Sequence, residues 1–144
     1  MADPVSKELR KRVAKRAGYL CEYCLIAEAD TFLGCEVDHI ISLKHRGKTE
    51  PANLAYACTY CNRYKGTDIA SLTESGALIR LYNPRDDRWK DHFRLETHQI
   101  LPVSQIGEVT IKMLRMNRME SVLEREALHA VGRFPGRFAI KYLL

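Results

Sequence analysis

The chain has 144 residues, enough for one compact domain with a substantial hydrophobic core. Its apolar content of 46% and charged content of 28% are typical of a soluble globular protein. No apolar run reaches the roughly 18 residues that a membrane span needs, and the opening residues lack the apolar region of a signal peptide. We therefore expect a cytoplasmic protein with no membrane contact. The net charge of +5 is compatible with a polyanionic partner, although a solvated basic surface explains it equally well.

The first stretch of the chain predicts a basic amphipathic helix. Asp3 suits an N-cap and Pro4 a first helical position, and Gly18 suits a left-handed C-cap. Apolar residues recur at helical spacing on one face: Val5, Leu9 and Val13. The other faces are basic and carry Lys7, Arg10, Lys11, Arg12, Lys15 and Arg16. Such a helix either lies against a phosphate backbone or is a surface helix with solvated lysines.

Two Cys-x-x-Cys pairs predict a metal site. They are Cys21 with Cys24 and Cys58 with Cys61. In a reducing compartment such pairs indicate metal binding rather than disulfides, and four thiolates suit tetrahedral zinc. A site closed by four thiolates is structural and not catalytic. The alternatives are four ordinary buried cysteines or a redox-active disulfide pair, and Cys35 is left over as a small buried residue.

Between the two pairs, the sequence predicts the order strand, loop, strand, helix. Residues 35–41 alternate and are β-branched, which is typical of a strand. Residues 42–53 contain Gly47 and Pro51 and have no periodicity, so they form an irregular loop. Residues 54–57 predict a second strand, and a helix follows from Thr59 to near Gly66.

Polar residues at the ends of these elements suit phosphodiester hydrolysis. This reaction needs a base for the attacking water and positive charge at the phosphate. His39 suits the base because an unperturbed histidine side chain titrates near neutrality and its neutral form accepts a proton. Asp38 and Asn62 offer hard oxygens, which favour magnesium or manganese. A purely structural histidine is the alternative reading of His39.

These motifs together resemble the HNH endonuclease family in its zinc-bearing branch. The matching residues are Asp38-His39-Ile40, Asn53-Leu54, and Cys58-x-x-Cys61-Asn62-x-x-Lys65, with the upstream pair CEYC. The resemblance implies an α+β fold with a ββα-metal core and structural zinc, flanked by the N-terminal basic helix and C-terminal helices. We expect a single domain over 1–144, with the zinc-bound core at 19–66 and an extension of strands then helices at 67–144.

The resemblance also assigns roles to the site residues. His39 is the general base, Asp38 binds the single catalytic metal, and Asn62 is the second metal ligand in a position where the family often has histidine. Asn53 braces the loop and its carbonyl orients the imidazole of His39. Because an amide oxygen is harder than imidazole, Asn62 favours Mg²⁺ or Mn²⁺ over nickel or zinc.

Three basic residues are predicted to bind nucleic acid. Arg63 and Lys65 match family positions that contact phosphate. Arg46 stands where relatives often have glycine, and would add a further phosphate contact. The neighbouring His45 is expected to be an ordinary loop histidine.

Beyond Gly66 the pattern is weaker. Residues 77–82 and 93–100 predict strands, and the spacing of Trp89, His92 and Phe93 predicts a packed helical face. From Glu108 the sequence is helical, with a break expected at Asn117.

The sequence therefore predicts a metal-dependent endonuclease that hydrolyses DNA with one metal and a histidine base. No base-reading module is present, so we expect backbone contacts and low sequence specificity. A monomer would nick and a homodimer would cut both strands. The alternatives are a non-catalytic zinc-stabilised nucleic-acid-binding module, or a partner-activated subunit of a larger nuclease or defence assembly.

Overall fold

A computed structural model describes residues 5–144 and confirms the predicted α+β class. The described chain mixes helices with three two-stranded antiparallel sheets, β1–β2, β3–β4 and β5–β6. The helices and strands are, in order, α1 Lys7–Ala17, β1 Cys35–His39, β2 Leu54–Cys58, α2 Thr59–Lys65, β3 Ala70–Leu72, β4 Leu78–Arg80, β5 Phe93–Glu96, β6 Gln99–Pro102, α3 Gln105–Leu114, α4 Met119–Ala130 and α5 Ile140–Leu143. Among the described helices, none is long and apolar enough to cross a membrane.

Helix α1 begins three residues later than the sequence predicts. Ser6 is its N-cap, and the Ser6 hydroxyl accepts a hydrogen bond from the Leu9 N–H at 3.1 Å. Asp3 and Pro4, the predicted start, lie outside the described residues. Gly18 ends the helix in the left-handed region at φ 77°, as its lack of a Cβ allows. A serine hydroxyl suits this role as well as an aspartate does, so local sequence did not separate the two starts.

Arg16 differs from the other basic residues of α1. It is only half-exposed, and its guanidinium donates to the Pro51 carbonyl at 2.8 Å and to the Leu54 carbonyl at 2.5 Å. Arg16 therefore joins α1 to the start of β2 and does not belong to the solvated basic face. Burial is the main reason that the pKa of Arg16 is lowered, and the neighbouring Arg85 lowers it further.

Strands β1 and β2 with helix α2 form a ββα unit. The strands pair antiparallel from Cys35 opposite Cys58 to His39 opposite Leu54, and α2 follows β2 without a break. The apolar face of α1 covers the strands in a small cluster made by Val13, Ala14, Ala17, Leu54 and Tyr56. This packing fixes the end of β1, where the candidate catalytic residues lie.

The loop between β1 and β2 passes very close to itself at Gly47. The Gly47 N–H donates to the Ser42 carbonyl at 2.9 Å. A Cβ added at Gly47 would lie 1.6 Å from the carbonyl oxygen of Ile41 and 2.9 Å from the Asn53 side chain. Only glycine fits there without displacing the backbone.

We expect Gly47→Ala to destabilise the protein by about 3 kcal/mol or more, because a clash with backbone cannot be relieved by a side-chain rotation. Gly76→Ala is the matched control: Gly76 has φ 91° and no atom within 4 Å, so only backbone strain of about 1–2 kcal/mol applies. Urea denaturation of both variants measures the difference. A Gly47→Ala variant as stable as Gly76→Ala would show that the loop rearranges freely.

The extension after α2 packs on the ββα unit through a shared hydrophobic cluster. Trp89 and Phe93 are buried in it together with Tyr23. Tyr23 lies in the turn formed by residues 21–24, which we call the zinc knuckle because it carries the first Cys-x-x-Cys pair. The Trp89 indole N–H donates to the Tyr23 carbonyl at 2.8 Å. We therefore keep, as a proposal, the single domain over 1–144 with a core at 19–66.

One helical prediction in the extension is wrong. Trp89–Asp91 form a single 3₁₀ turn, and Phe93 begins strand β5, where it pairs with Pro102. The predicted strand at 93–100 is a hairpin, because Thr97 takes a left-handed turn at φ 57°. The predicted helix break at Asn117 is confirmed, since Asn117 lies between α3 and α4 and its side chain binds both backbone groups of Ile100.

Candidate active site

Four cysteine sulfurs converge in a buried cluster. The Sγ atoms of Cys21, Cys24, Cys58 and Cys61 all lie within 4.8 Å of one another, and Cys24 Sγ is 3.8 Å from Cys58 Sγ. In a zinc tetrahedron with bonds of about 2.3 Å, neighbouring sulfurs stand about 3.8 Å apart. The donor set and its spacing therefore fit structural zinc.

Backbone groups prepare the cluster for metal. The Cys24 N–H points at Cys21 Sγ at 3.4 Å, and the Cys61 N–H points at Cys58 Sγ at 3.5 Å. Hydrogen bonds from the other three thiols hold the pKa of Cys24 well below its ordinary value. Such groups favour the thiolate, which is the form that binds metal.

Cys35 lies outside the cluster. It is half-buried at the start of β1 rather than fully buried, and burial raises the pKa of its thiol far above the ordinary value. Cys35 therefore stays a protonated packing residue.

A buried arginine from helix α4 lies beside the sulfur cluster. Arg125 is 2% exposed and lines the same small cavity, about 60 Å³, as Cys24, Cys58 and Cys61. Its guanidinium donates to the His98 carbonyl at 2.7 Å and the Met116 carbonyl at 2.9 Å. Burial lowers the pKa of Arg125, and the nearby thiol groups raise it. The sequence offered no signal for this contact, because α4 is far along the chain.

Asp38 is a buried carboxylate with both oxygens hydrogen-bonded. It is 3% exposed. The Tyr23 hydroxyl donates to Oδ2 at 2.8 Å, and the Lys65 ammonium lies 3.2 Å from Oδ1. Burial raises the pKa of Asp38, whereas Lys65 and Tyr23 lower it. The Lys65 ammonium also lies 3.2 Å from Oδ2. Each carboxylate oxygen has two lone pairs, so Oδ1, with Lys65 as its one partner within residues 5–144, is the oxygen that keeps a lone pair.

Lys65 does not occupy the position that the sequence predicts. It is 2% exposed, and its ammonium donates to Asp38 at 3.2 Å and to the carbonyls of His39 and Ile40 at 3.1 Å each. All three N–H bonds are used inside the protein. In this structure Lys65 holds Asp38 and the end of β1, a different role from the predicted phosphate contact.

We expect Lys65→Met to cost about 3–5 kcal/mol, because it leaves the Asp38 carboxylate buried without a cation. The loss shrinks at acidic pH, since the folded-state pKa of Asp38 then lies well above its unfolded value and protonation removes the unpaired charge. Arg63→Met is the control: Arg63 is exposed on the same helix, and a change within about 0.5 kcal/mol is expected. Urea denaturation at neutral and acidic pH measures both. Equal stability of the two variants would contradict the structural role of Lys65.

His39 lies half-buried at the last position of β1. Its Nε2 is 2.9 Å from the Thr49 hydroxyl, which comes from the loop between the strands. Thr49 was not singled out from the sequence, because a loop threonine carries no signal of this contact. The Thr49 hydroxyl therefore holds the orientation of the His39 ring, a role that the family resemblance assigned to the Asn53 carbonyl.

Asn53 braces the loop through hydrogen bonds of its side chain and its backbone. Its side chain accepts from the Ile41 N–H and donates to the carbonyls of Ile41 and Lys48, each at 2.9 Å. Its backbone carbonyl accepts from the Ile40 N–H at 2.9 Å. Within residues 5–144 the His39 ring has its hydrogen bond with Thr49 and none with a carbonyl of Asn53.

Asn62 lies on α2 facing β1. Its amide Nδ2 donates to Glu36 Oε2 at 2.5 Å. Asn62, Asp38 and His39 line one open cleft of about 320 Å³ at the junction of β1 and α2. The structure thus brings together three residues that are separated by up to 24 positions. The cleft is also lined by Lys44, which the sequence did not single out.

Two predicted phosphate contacts lie on the surface. Arg46 is exposed in the loop at φ 67°, and Arg63 is exposed on α2. Neither forms an ion pair within residues 5–144. His45 is likewise exposed in the loop.

Comparison with known proteins identifies one segment. Residues 21–68 match the family model described as HNH endonuclease. The match runs from the first zinc-knuckle cysteine past the end of α2, and so contains the whole cleft. No curated protein and no solved structure matches the chain.

Proposed function

From the HNH endonuclease domain at residues 21–68, we propose that the protein is a metal-dependent endonuclease that hydrolyses phosphodiester bonds of nucleic acid, with DNA as the substrate. The observation that carries the proposal is the convergence of Asp38, His39 and Asn62 on one open cleft. A carboxylate and an amide oxygen can hold one divalent ion, and an imidazole beside them can serve as the base for one-metal hydrolysis of a phosphodiester.

Asp38 and Asn62 would hold the divalent ion. Both offer hard oxygen donors at the cleft, and Oδ1 of Asp38 keeps a lone pair beside its contact with Lys65, so the residues fit magnesium or manganese. When bound, the ion neutralises charge on the phosphate and on the leaving oxygen.

His39 would act as the general base. If Nε2 carries the ring proton and donates it to the Thr49 hydroxyl, Nδ1 is left as the acceptor for a proton of the attacking water. Asn53 keeps the loop that carries Thr49 closed. The resemblance to the HNH family implies products with a 5′-phosphate and a 3′-hydroxyl.

The substrate would be held mainly through its backbone. Arg46, Arg63 and Lys44 offer exposed cations at or near the cleft, and the outer face of α1 offers more. Phosphate contacts of this kind give strong salt dependence and low sequence specificity. One cleft cuts one strand, so a monomer nicks duplex DNA and a homodimer is needed to cut both strands at once. We propose a cytoplasmic location.

A supercoiled-plasmid assay tests the proposal. Zinc-loaded protein freed of other divalent ions is incubated with magnesium, manganese, nickel or EDTA. We expect conversion to open circles with magnesium or manganese and none with EDTA. Activity only with nickel would overturn the oxygen-ligand assignment. Intact plasmid in every metal, with folded zinc-loaded protein, would overturn the nuclease proposal.

A specific observation favours a second candidate function. Asp38 is 3% exposed, and both its oxygens already accept hydrogen bonds from Tyr23 and Lys65. A site in this state suits a nucleic-acid-binding module without cleavage, or a nuclease that a partner activates. Plasmid binding without cleavage, or cleavage only after a partner is added, is the result that this alternative expects.

A further inference from the structure

Glu36 is an acidic residue of β1 with no role in the proposed reaction. It stands two positions before Asp38, so both side chains lie on the face of the strand toward α2. Glu36 is half-buried, and its Oε2 receives the Asn62 amide at 2.5 Å. Asn62 lines the cleft, whereas Glu36 is not among the residues that line it. The carboxylate therefore contacts the far side of a candidate metal ligand.

The chemistry of this contact fixes the direction of the Asn62 amide. An ionised carboxylate only accepts hydrogen bonds, so the amide edge that faces Glu36 is the NH₂ group. The amide is planar and its oxygen occupies the opposite edge. Within residues 5–144, Asn62 Oδ1 has no hydrogen-bond partner. Glu36 thus holds the amide nitrogen of Asn62, whereas the amide oxygen forms no hydrogen bond with the described residues.

Without Glu36, little would hold this orientation. The terminal torsion of asparagine is broad and roughly two-fold, so the amide turns over at low cost. An amide turned over presents N–H groups toward a cation and repels it.

We infer that Glu36 is a positioning residue that holds the oxygen of Asn62 toward the cleft beside Asp38 and thereby sets the affinity for the divalent ion. The inference rests on the proposed function, because it concerns the same metal site. Partners that orient metal ligands typically contribute about 10–100-fold to metal affinity. Glu36 acts through its hydrogen bond with Asn62 and not through its charge or by direct ligation.

Two variants separate these roles. Glu36→Ala removes the acceptor. Glu36→Gln removes the charge but keeps an acceptor, its amide oxygen, at the same distance along the side chain. Glu50→Ala is the control, since it removes one negative charge from an exposed loop position.

The experiment measures Mn²⁺ binding to zinc-loaded protein by the electron paramagnetic resonance signal of the free ion. We expect Glu36→Ala to bind Mn²⁺ about 10–100-fold more weakly, and Glu36→Gln and Glu50→Ala to stay within a few-fold of the unmodified protein. Equal weakening in Glu36→Ala and Glu36→Gln would overturn the inference in favour of charge or direct ligation. Unchanged binding by Glu36→Ala would overturn it outright. If the unmodified protein binds no Mn²⁺, it is the proposed function that fails.

A second readout works without metal. The side-chain NH₂ resonances of Asn62, assigned with an Asn62→Asp variant, should be shifted by the carboxylate in the unmodified protein. We expect this shift to disappear in Glu36→Ala and to persist in part in Glu36→Gln. Identical resonances in all three proteins would contradict the contact on which the inference depends, whatever the folding yield of the alanine variant.

Discussion

Replacing Cys58 with serine is expected to unfold the core of the protein. Cys58 ends β2, supplies one of the four clustered sulfurs and caps α2 by accepting from the Cys61 N–H at 3.5 Å. Structural zinc contributes on the order of 10–16 kcal/mol of apparent binding energy, whereas whole domains are stable by about 5–15 kcal/mol. Loss of one ligand therefore removes a share of stability that the apolar core is not expected to replace.

Cys35→Ser is the matched control. Cys35 stands opposite Cys58 in the β1–β2 pairing but lies outside the sulfur cluster. We expect it to keep one zinc per chain and a cooperative thermal transition. Zinc content by mass spectrometry and circular dichroism melts measure both variants. A Cys58→Ser protein that melts like the unmodified chain while holding no zinc would refute the structural role of the metal.

His39→Ala is expected to lower the rate of DNA cleavage by about 10²–10⁴-fold, because it removes the general base. The fold should survive. The ring of His39 is only half-buried, and within residues 5–144 its one hydrogen bond joins it to Thr49, in a loop that Asn53 holds independently. Single-turnover cleavage of supercoiled plasmid in magnesium measures the rate.

His45→Ala is the control for His39→Ala. His45 is exposed in the same loop and does not line the cleft, so its loss should leave the rate within a few-fold of the unmodified protein. Thermal melts accompany both variants. A large fall in melting temperature for His39→Ala would show that the histidine is structural, and equal rates for both variants would remove it from the mechanism.

The ββα unit was predictable because its signals are local. Alternation marks β1, the cysteine spacing marks both ends of the metal cluster, and Gly66 follows α2. Asp38 lies near the end of β1 and Asn62 lies in α2, so the order strand, strand, helix brings both to the junction of β1 and α2. Each of these inferences needs only a short window of sequence.

The contacts that the sequence did not reveal connect distant segments. Tyr23 and Lys65 reach Asp38 from different elements, and nothing in their local sequence requires it. Helical periodicity did contain a hint for Lys65. It lies four residues after the buried Cys61, on the same side of α2, whereas Arg63 lies on an exposed side. A lysine on a buried helical face is better interpreted as an ion-pair partner than as a phosphate contact.

The residues that stabilise the metal site extend beyond the segment that matches the family model, because Arg125 lies beside the sulfur cluster. The segment 21–68 contains every cysteine ligand and every candidate catalytic residue. Four thiolates around one divalent ion leave two negative charges in a buried place, and Arg125 of α4 brings a positive charge to it. Trp89 adds a second attachment of the extension to the zinc knuckle. A fragment cut at residue 68 would keep the chemistry of the site and lose the environment in which the site is stable. The segment that matches the family model is therefore shorter than the part of the chain that stabilises it, and we expect that transplanting residues 21–68 into another protein would require carrying the extension as well.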